Sequence, residues 1–217
     1  LRLTRSVLEV CARWNQPIGL ITKSALITRD LDILAPMASQ GLARTAISIT
    51  TLDRKLARKM EPRAATPQRR IDAIKALSES GVPVTVMVAP IVPGLTDHEL
   101  ESILEAAAKA GATSAGYVAL RLPHEIAQLF EEWLQGAYPD RADRVLSLVR
   151  QMRGGKLYDS RFGERMTGTG PWAHLTAQRF RRACSEFNLN RRSRSYNLRL
   201  FKRPQGYAPP GGQLDLF

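Results

Sequence analysis

Five groups of residues have the types and spacing to do chemistry. Lys23 ends the apolar run Ile18-Gly-Leu-Ile-Thr, and a lysine there emerges either into a cleft or into solvent. Ser48 stands within Thr45-Ala-Ile-Ser-Ile-Thr-Thr51, where a small hydroxyl is satisfied inside a core or meets a ribose. Glu61-Pro62-Arg63 sets opposite charges around a rigid proline. Arg63 is then held for a carboxylate or phosphate, or it closes a surface ion pair. Ala89 to Pro93 and Ala119 to Arg121 follow two further β-rich runs. Other arrangements fail. His98-Glu99 and His124-Glu125 each start like a zinc-protease helix, but the second histidine, due four residues on, is Ser102 in one and Gln128 in the other. No metal site is expected. Gly168-Thr-Gly170 has no strand before it, and no Gly-x-Ser-x-Gly is present. Cys11 and Cys184 are the only cysteines; Val7, Cys11, Trp14 and Phe180, Cys184, Phe187 recur at i, i+4, i+7, so both thiols are expected on buried helical stripes.

The elements that must position these residues alternate in period. Residues 4–15 form an amphipathic pattern behind Thr4, and further helical patterns cover about 29 to 40, stopped by Gly41, and 53 to 60, ended before Pro62. Thr66-Pro67 caps and opens a helix striped by Ile71, Ile74 and Leu77 and closed at Gly81; Thr96 with Glu99 reads as a capping box before Leu100, Ile103, Leu104 and Ala107; residues 124–134 are again helical. Between them lie strand-like runs at 18–23, 45–51, 83–88 and 114–121. Four strands starting about 25 to 40 residues apart are the pattern of parallel βα units. Right-handed crossovers bring their C-terminal ends to one face, where the chemistry of parallel sheets and barrels collects. The candidate residues fall at those ends. The chain starts at Leu1 with a helix feeding a strand, so it reads as a piece of something longer, with further strands expected upstream.

Of the 217 residues 44% are hydrophobic and 24% charged, which excludes wholesale disorder and fibrous architectures. No apolar run approaches the roughly 20 residues that cross a bilayer, and Leu-Arg-Leu-Thr-Arg is no signal peptide. A cytoplasmic protein is expected, with no membrane partner. Residues 1–139 carry 16 Lys/Arg against 14 Asp/Glu, whereas residues 140–203 carry 16 against 5. Basicity confined to one third is a candidate nucleic-acid footprint, binding through counterion release. Arg191, Arg192, Arg194, Arg199, Lys202 and Arg203 are interleaved with Phe187, Tyr196 and Phe201, a mixture suited to single strands or distorted duplex. The competing reading is a solvated face over a core that holds Phe180 and Phe187.

Lys23 at one strand end, Ser48 on the next strand, the Glu61-Pro-Arg63 loop and Val88-Ala-Pro-Ile91 after the third resemble, in order and spacing, the second half of a radical S-adenosylmethionine (SAM) enzyme. The branch is that of spore photoproduct lyase and its DNA-repair photolyase-like relatives. The resemblance covers about residues 1 to 135, and the extension through the basic third is similar to these relatives too. It implies an α/β fold: the C-terminal four βα units of a partial (β/α)6 barrel over residues 1–139, then a basic helical and irregular extension over 140–203 and a flexible tail over 204–217. It also implies SAM as cofactor, touched by Lys23 and Ser48, with Arg63 as a carboxylate partner. The turn at Ala89-Pro90 and the backbone of Val118, Ala119 and Leu120 would form the adenine-side wall. The family's CxxxCxxC loop, which holds a [4Fe-4S] cluster, has no counterpart here; the resemblance places it upstream, in the full-length protein, and this chain alone is expected to be inactive. No cysteine is placed as a hydrogen donor. After Pro209-Pro-Gly-Gly212, the residues Gln213, Leu214, Leu216 and Phe217 resemble the QLxLF peptide with which bacterial repair proteins dock on the sliding clamp; the alternative is a tail folded onto its own domain. Three functions stay open. One is the SAM-binding half of a radical enzyme acting on DNA or a nucleic-acid lesion; another is a barrel whose Lys23 forms a Schiff base with a carbonyl substrate; the third is a non-catalytic nucleic-acid- and clamp-binding module.

Overall fold

A computed structural model describes residues 2–192 and 195–203. Each strand-like run pairs with the next because a helix carries the chain back along the sheet between them. In order come α1 (Leu3–Arg13), β1 (Ile18–Thr22), a 3-10 turn (Ala25–Asp30), α2 (Leu31–Ser39), β2 (Ala43–Ile49), α3 (Arg54–Met60), α4 (Pro67–Glu79) and β3 (Val84–Ile91). A second 3-10 turn (Asp97–Glu99), α5 (Leu100–Lys109), β4 (Ser114–Ala119), α6 (Ile126–Ala137), α7 (Pro139–Gln151) and α8 (Gly170–Glu186) follow. The strands form one parallel sheet in the order β1-β2-β3-β4, the α/β class expected.

Parallel register sets the side chains in rows. Ile21, Ala46, Thr85 and Ser114 lie level, as do Ser48, Met87 and Gly116 one step higher. Lys23 follows Thr22, the partner of Ile47, and so shares the row of Ser48. Because successive side chains alternate in face, Ile47, Ile49, Val84, Val86 and Val88 pack outward against Leu34, Met37, Ile74, Leu77, Ile103 and Leu104 of the helices. The other face carries Ala46, Ser48, Thr50 and Gly116, small or hydroxylic residues. A Cβ at Gly116 would lie 2.8 Å from the Met87 sulfur, so Met87 lies across that glycine.

Local details depart from expectation for identifiable reasons. In α1 the buried residue is Leu8, and Val7 is 61% exposed; Cys11 packs partly buried on the core, so the helix turns a neighbouring face inward. Ala89-Pro90 is no turn: β3 runs on to Ile91, its register irregular between Val88 and Ile91. The capping box does not form. A 3-10 turn intervenes before α5; the Thr96 hydroxyl accepts the Val92 N–H at 2.9 Å, and Glu99 accepts from the Thr51 hydroxyl at 2.5 Å and the Leu52 N–H at 2.6 Å. Pro67 opens α4 as expected, but the Thr66 hydroxyl makes no cap bond.

The basic third is packed onto the sheet unit. Leu134, Val145, Leu146 and Val149 of α6 and α7 form a second core with Val92, Leu95, Leu120 and Leu122. Helix α8 covers β4, with the Phe180 and Tyr117 rings 4.8 Å apart, and Arg179 is held by Glu101 at 2.6 and 2.7 Å. Cys184 is buried there, which pushes its thiol up to about 11. Beyond α8 the chain returns along the N-terminal ends of the strands. Asn190 N–H reaches the Thr113 carbonyl at 3.1 Å, Asn197 N–H that of Gly41 at 3.1 Å, and Lys202 N–H that of Trp14 at 2.8 Å. Among the described residues no helix is long and apolar enough to cross a membrane.

Candidate functional site

Three strand ends are tied by one lysine. Lys23, just past β1, donates from Nζ to the Thr50 hydroxyl at 3.2 Å beyond β2 and to the Ala89 carbonyl at 3.2 Å in β3, and it is ion-paired with Glu61 Oε1. The Thr50 hydroxyl stands 2.8 Å from Glu61 Oε1 and 3.1 Å from the Ala89 carbonyl. Glu61 comes from the loop between α3 and α4 and is gripped from the other side by Arg70 Nη2 at 2.6 Å. Arg70, 2% exposed, also donates to the carbonyls of Ser48 at 2.9 Å and Ala65 at 2.8 Å. Burial acts to raise the Glu61 carboxyl, but the hydrogen bonds from Lys23 and Arg70 outweigh it and hold the group below its ordinary range. Two cations against one carboxylate leave this strand-end network with one positive charge.

The expected site residues fare differently. Lys23, Ser48, Ala89 and Pro90 do converge at the strand ends, Ser48 buried on the open face of β2 in the row of Lys23. Val118 lies on the same face of β4, half-buried. The backbone of Ala119 and Leu120 is not free to line a wall: Ala119 N–H bonds the Met166 carbonyl at 2.8 Å, Leu120 N–H the Ile91 carbonyl at 2.9 Å, and the Leu120 carbonyl accepts from Arg153 at 2.8 Å. Arg63 is exposed and, among the described residues, has no partner; the arginine that meets a carboxylate here is Arg70. A Schiff-base role needs a desolvated, unengaged amine, whereas Lys23 is 36% exposed along its side chain and has three acceptors.

Arg191, Arg192, Arg199, Lys202 and Arg203 are exposed, but at the opposite pole, where the returning segment crosses the strand beginnings. Tyr196 stacks there on the Arg44 guanidinium, 4.4 Å from the ring centroid. Arg194 and the peptide Gln213 to Phe217 lie outside the described residues. Arg70 was missed in the sequence; the one signal for it is an arginine in step with Pro67, Ile74 and Leu77 on the buried stripe of α4.

Residues 2–107 match the Radical SAM superfamily. Through that segment the chain is similar to the radical SAM superfamily. Uncharacterized proteins of Mycobacterium tuberculosis and Mycobacterium bovis are 34% identical over 151 residues, 69% of this chain and 44% of theirs. One from Methanocaldococcus jannaschii is 31% identical over 98 residues, 45% of this chain and 36% of that one. The chain thus spans less than half the length of these curated relatives. Among solved structures, spore photoproduct lyase complexed with dinucleoside spore photoproduct superposes with a TM-score of 0.60 at 18% identity, over 85% of this chain and 54% of that one. A mutant with bound AdoMet and the same dinucleoside gives 0.58 at 19%, over the same shares. At such identity the likeness is one of fold, and it bears out the radical SAM barrel expected from the residue order.

Of the two groups that radical SAM enzymes use, SAM fits what is present. Ser48 shares the row of Lys23, the Thr50 hydroxyl is bonded to that lysine, and the residual positive charge at Lys23 and Arg70 suits a carboxylate. The cluster does not fit. Among the described residues no three His, Cys, Asp or Glu side chains converge, and Cys11 and Cys184 sit on α1 and α8 against the core.

Proposed function

We propose that this chain is the SAM-binding part of a radical SAM enzyme, [4Fe-4S]-dependent in the full-length protein, that acts on DNA or a nucleic-acid lesion. The observation that carries it is the Lys23, Thr50, Glu61, Arg70 network drawn across three strand ends of a radical SAM sheet. Reductive cleavage of SAM supplies the family with a radical that abstracts hydrogen. Lys23 would hold the methionyl carboxylate by charge, the Ser48 hydroxyl in the same row would serve the ribose, and Val118 with the β3 segment Ala89-Pro90 would offer the adenine an apolar wall. Holding these groups in place before the substrate arrives is the protein's share of catalysis. The network supports this role over a Schiff base. Adding SAM to isotopically labelled chain is expected to shift the amide resonances of Lys23, Ser48, Thr50, Ala89 and Val118; shifts elsewhere alone, or none at saturating SAM, would overturn the assignment.

Nucleic acid as partner is supported by the dinucleoside held in the spore photoproduct lyase structures and by the exposed arginines of the 191–203 segment, which would hold phosphates at a distance from the chemistry. The Gln213, Leu214, Leu216, Phe217 peptide would bring the enzyme to the sliding clamp by burying two apolar anchors. A polarisation titration of the Pro209 to Phe217 peptide on the clamp should give binding that Leu216→Ala/Phe217→Ala abolishes; equal titrations would remove the clamp from the account.

A further inference from the structure

The loop between α7 and α8 has no part in the roles assigned above, yet it is built against the C-terminal end of β4. Its Met166 carbonyl accepts the Ala119 N–H at 2.8 Å. Arg153, only 1% exposed, fastens it by donating to the carbonyls of Leu120 at 2.8 Å and Glu164 at 2.9 Å. A guanidinium buried so deeply, with its Nε left without a partner, is a costly anchor. The loop is therefore held at the same pole as Lys23 and Glu61.

Two features of the held loop point outward to a ligand. Arg121 rises from the end of β4 beside Tyr158, whose hydroxyl is 3.4 Å from Nη2, and beside the Met166 sulfur, 3.5 Å from Nη1. Its Nε is buried and unpartnered, and among the described residues it meets no carboxylate. The acids of the loop do not neutralise it, because Asp159 and Glu164 are both paired with Arg161. The second feature is Phe162, 91% exposed, with the Arg165 guanidinium 5.6 Å from its ring centroid. A bare aromatic ring beside Arg165, on the same loop whose Tyr158 and Met166 meet a half-buried Arg121 without an anion, is a combination that suits single-stranded nucleic acid: stacking for the base, charge for the phosphate.

We infer that this loop is the element that grips the nucleic-acid substrate at the chemical pole, Phe162 stacking on a base while Arg121, with Tyr158, takes a backbone phosphate. The inference rests on the nucleic-acid reading proposed above and gives it a site distinct from the 191–203 arginines at the far pole.

The test is fluorescence anisotropy of a fluorescein-labelled, single-stranded oligothymidylate titrated with the whole chain at several salt concentrations. Phe162→Ala changes only a surface ring and is expected to weaken binding about tenfold with the salt slope unaltered. Arg121→Gln should flatten the slope of log affinity against log salt by about 0.7, the share of one phosphate contact on a single strand. Binding equal to the parent for Phe162→Ala, with the parent slope for Arg121→Gln, overturns the inference. So does affinity lost wholly on Arg191→Gln/Arg192→Gln with nothing left for Phe162 to affect. SAM is titrated separately into the same protein. Oligonucleotide binding that depends on Phe162 in a protein indifferent to SAM keeps this inference and removes the cofactor reading; SAM binding without Phe162 dependence does the reverse.

Discussion

Replacing Arg70 by methionine is expected to cost the chain about 3 to 5 kcal/mol of stability, because breaking a buried ion pair from one side leaves its partner uncompensated. Arg70 joins α4 to β2 through the Ser48 carbonyl and to the site loop through Ala65 and Glu61. Without it both carbonyls lose a donor, and Glu61, 12% exposed along its side chain, keeps only Lys23 and the Thr50 hydroxyl. Arg70→Met/Glu61→Gln removes the stranded charge as well and should recover part of the loss. Urea unfolding of the three proteins measures this; an Arg70→Met midpoint equal to that of the parent would show that the pair carries no weight. The same pair sets acid sensitivity. Glu61 is held below its ordinary range in the folded chain. Its contribution is therefore complete above the unfolded carboxyl's pKa and is lost as pH falls through the lower folded value. Glu61→Gln should show a shallower loss of stability on acidification than the parent.

How far the residues alone revealed this site depends on whether a contact lies within one period of the chain. Strand order and the convergence of Lys23, Ser48 and Ala89 follow from apolar periodicity and the handedness of βα crossovers, and they were legible. The Glu61 loop was legible as charged and rigid, but its partner was not: Arg63 is adjacent in sequence, whereas Arg70 reaches Glu61 by lying on the inward stripe of a helix. A cation in phase with Ile74 and Leu77 was the available signal. Glu99 had the spacing of a capping box and was drawn instead to Thr51 and Leu52, a tertiary contact that no local pattern encodes. The basic third was legible in composition and not in place. Charge counts do not say that the chain after α8 crosses the strand beginnings, since that path is set by backbone bonds to Thr113, Gly41 and Trp14.

The central claim is that the strand-end network serves SAM in a radical enzyme, and the direct measurement is SAM turnover by the full-length protein purified without oxygen. On reduction it should convert SAM to 5′-deoxyadenosine. Lys23→Met, which removes the positive charge left over in the strand-end network, should lower the SAM affinity roughly tenfold. Lys23→Arg, which keeps the charge, should restore part of it. A full-length protein that shows no iron–sulfur absorption and leaves SAM intact would contradict the account, as would turnover unchanged at limiting SAM when Lys23 is replaced by methionine.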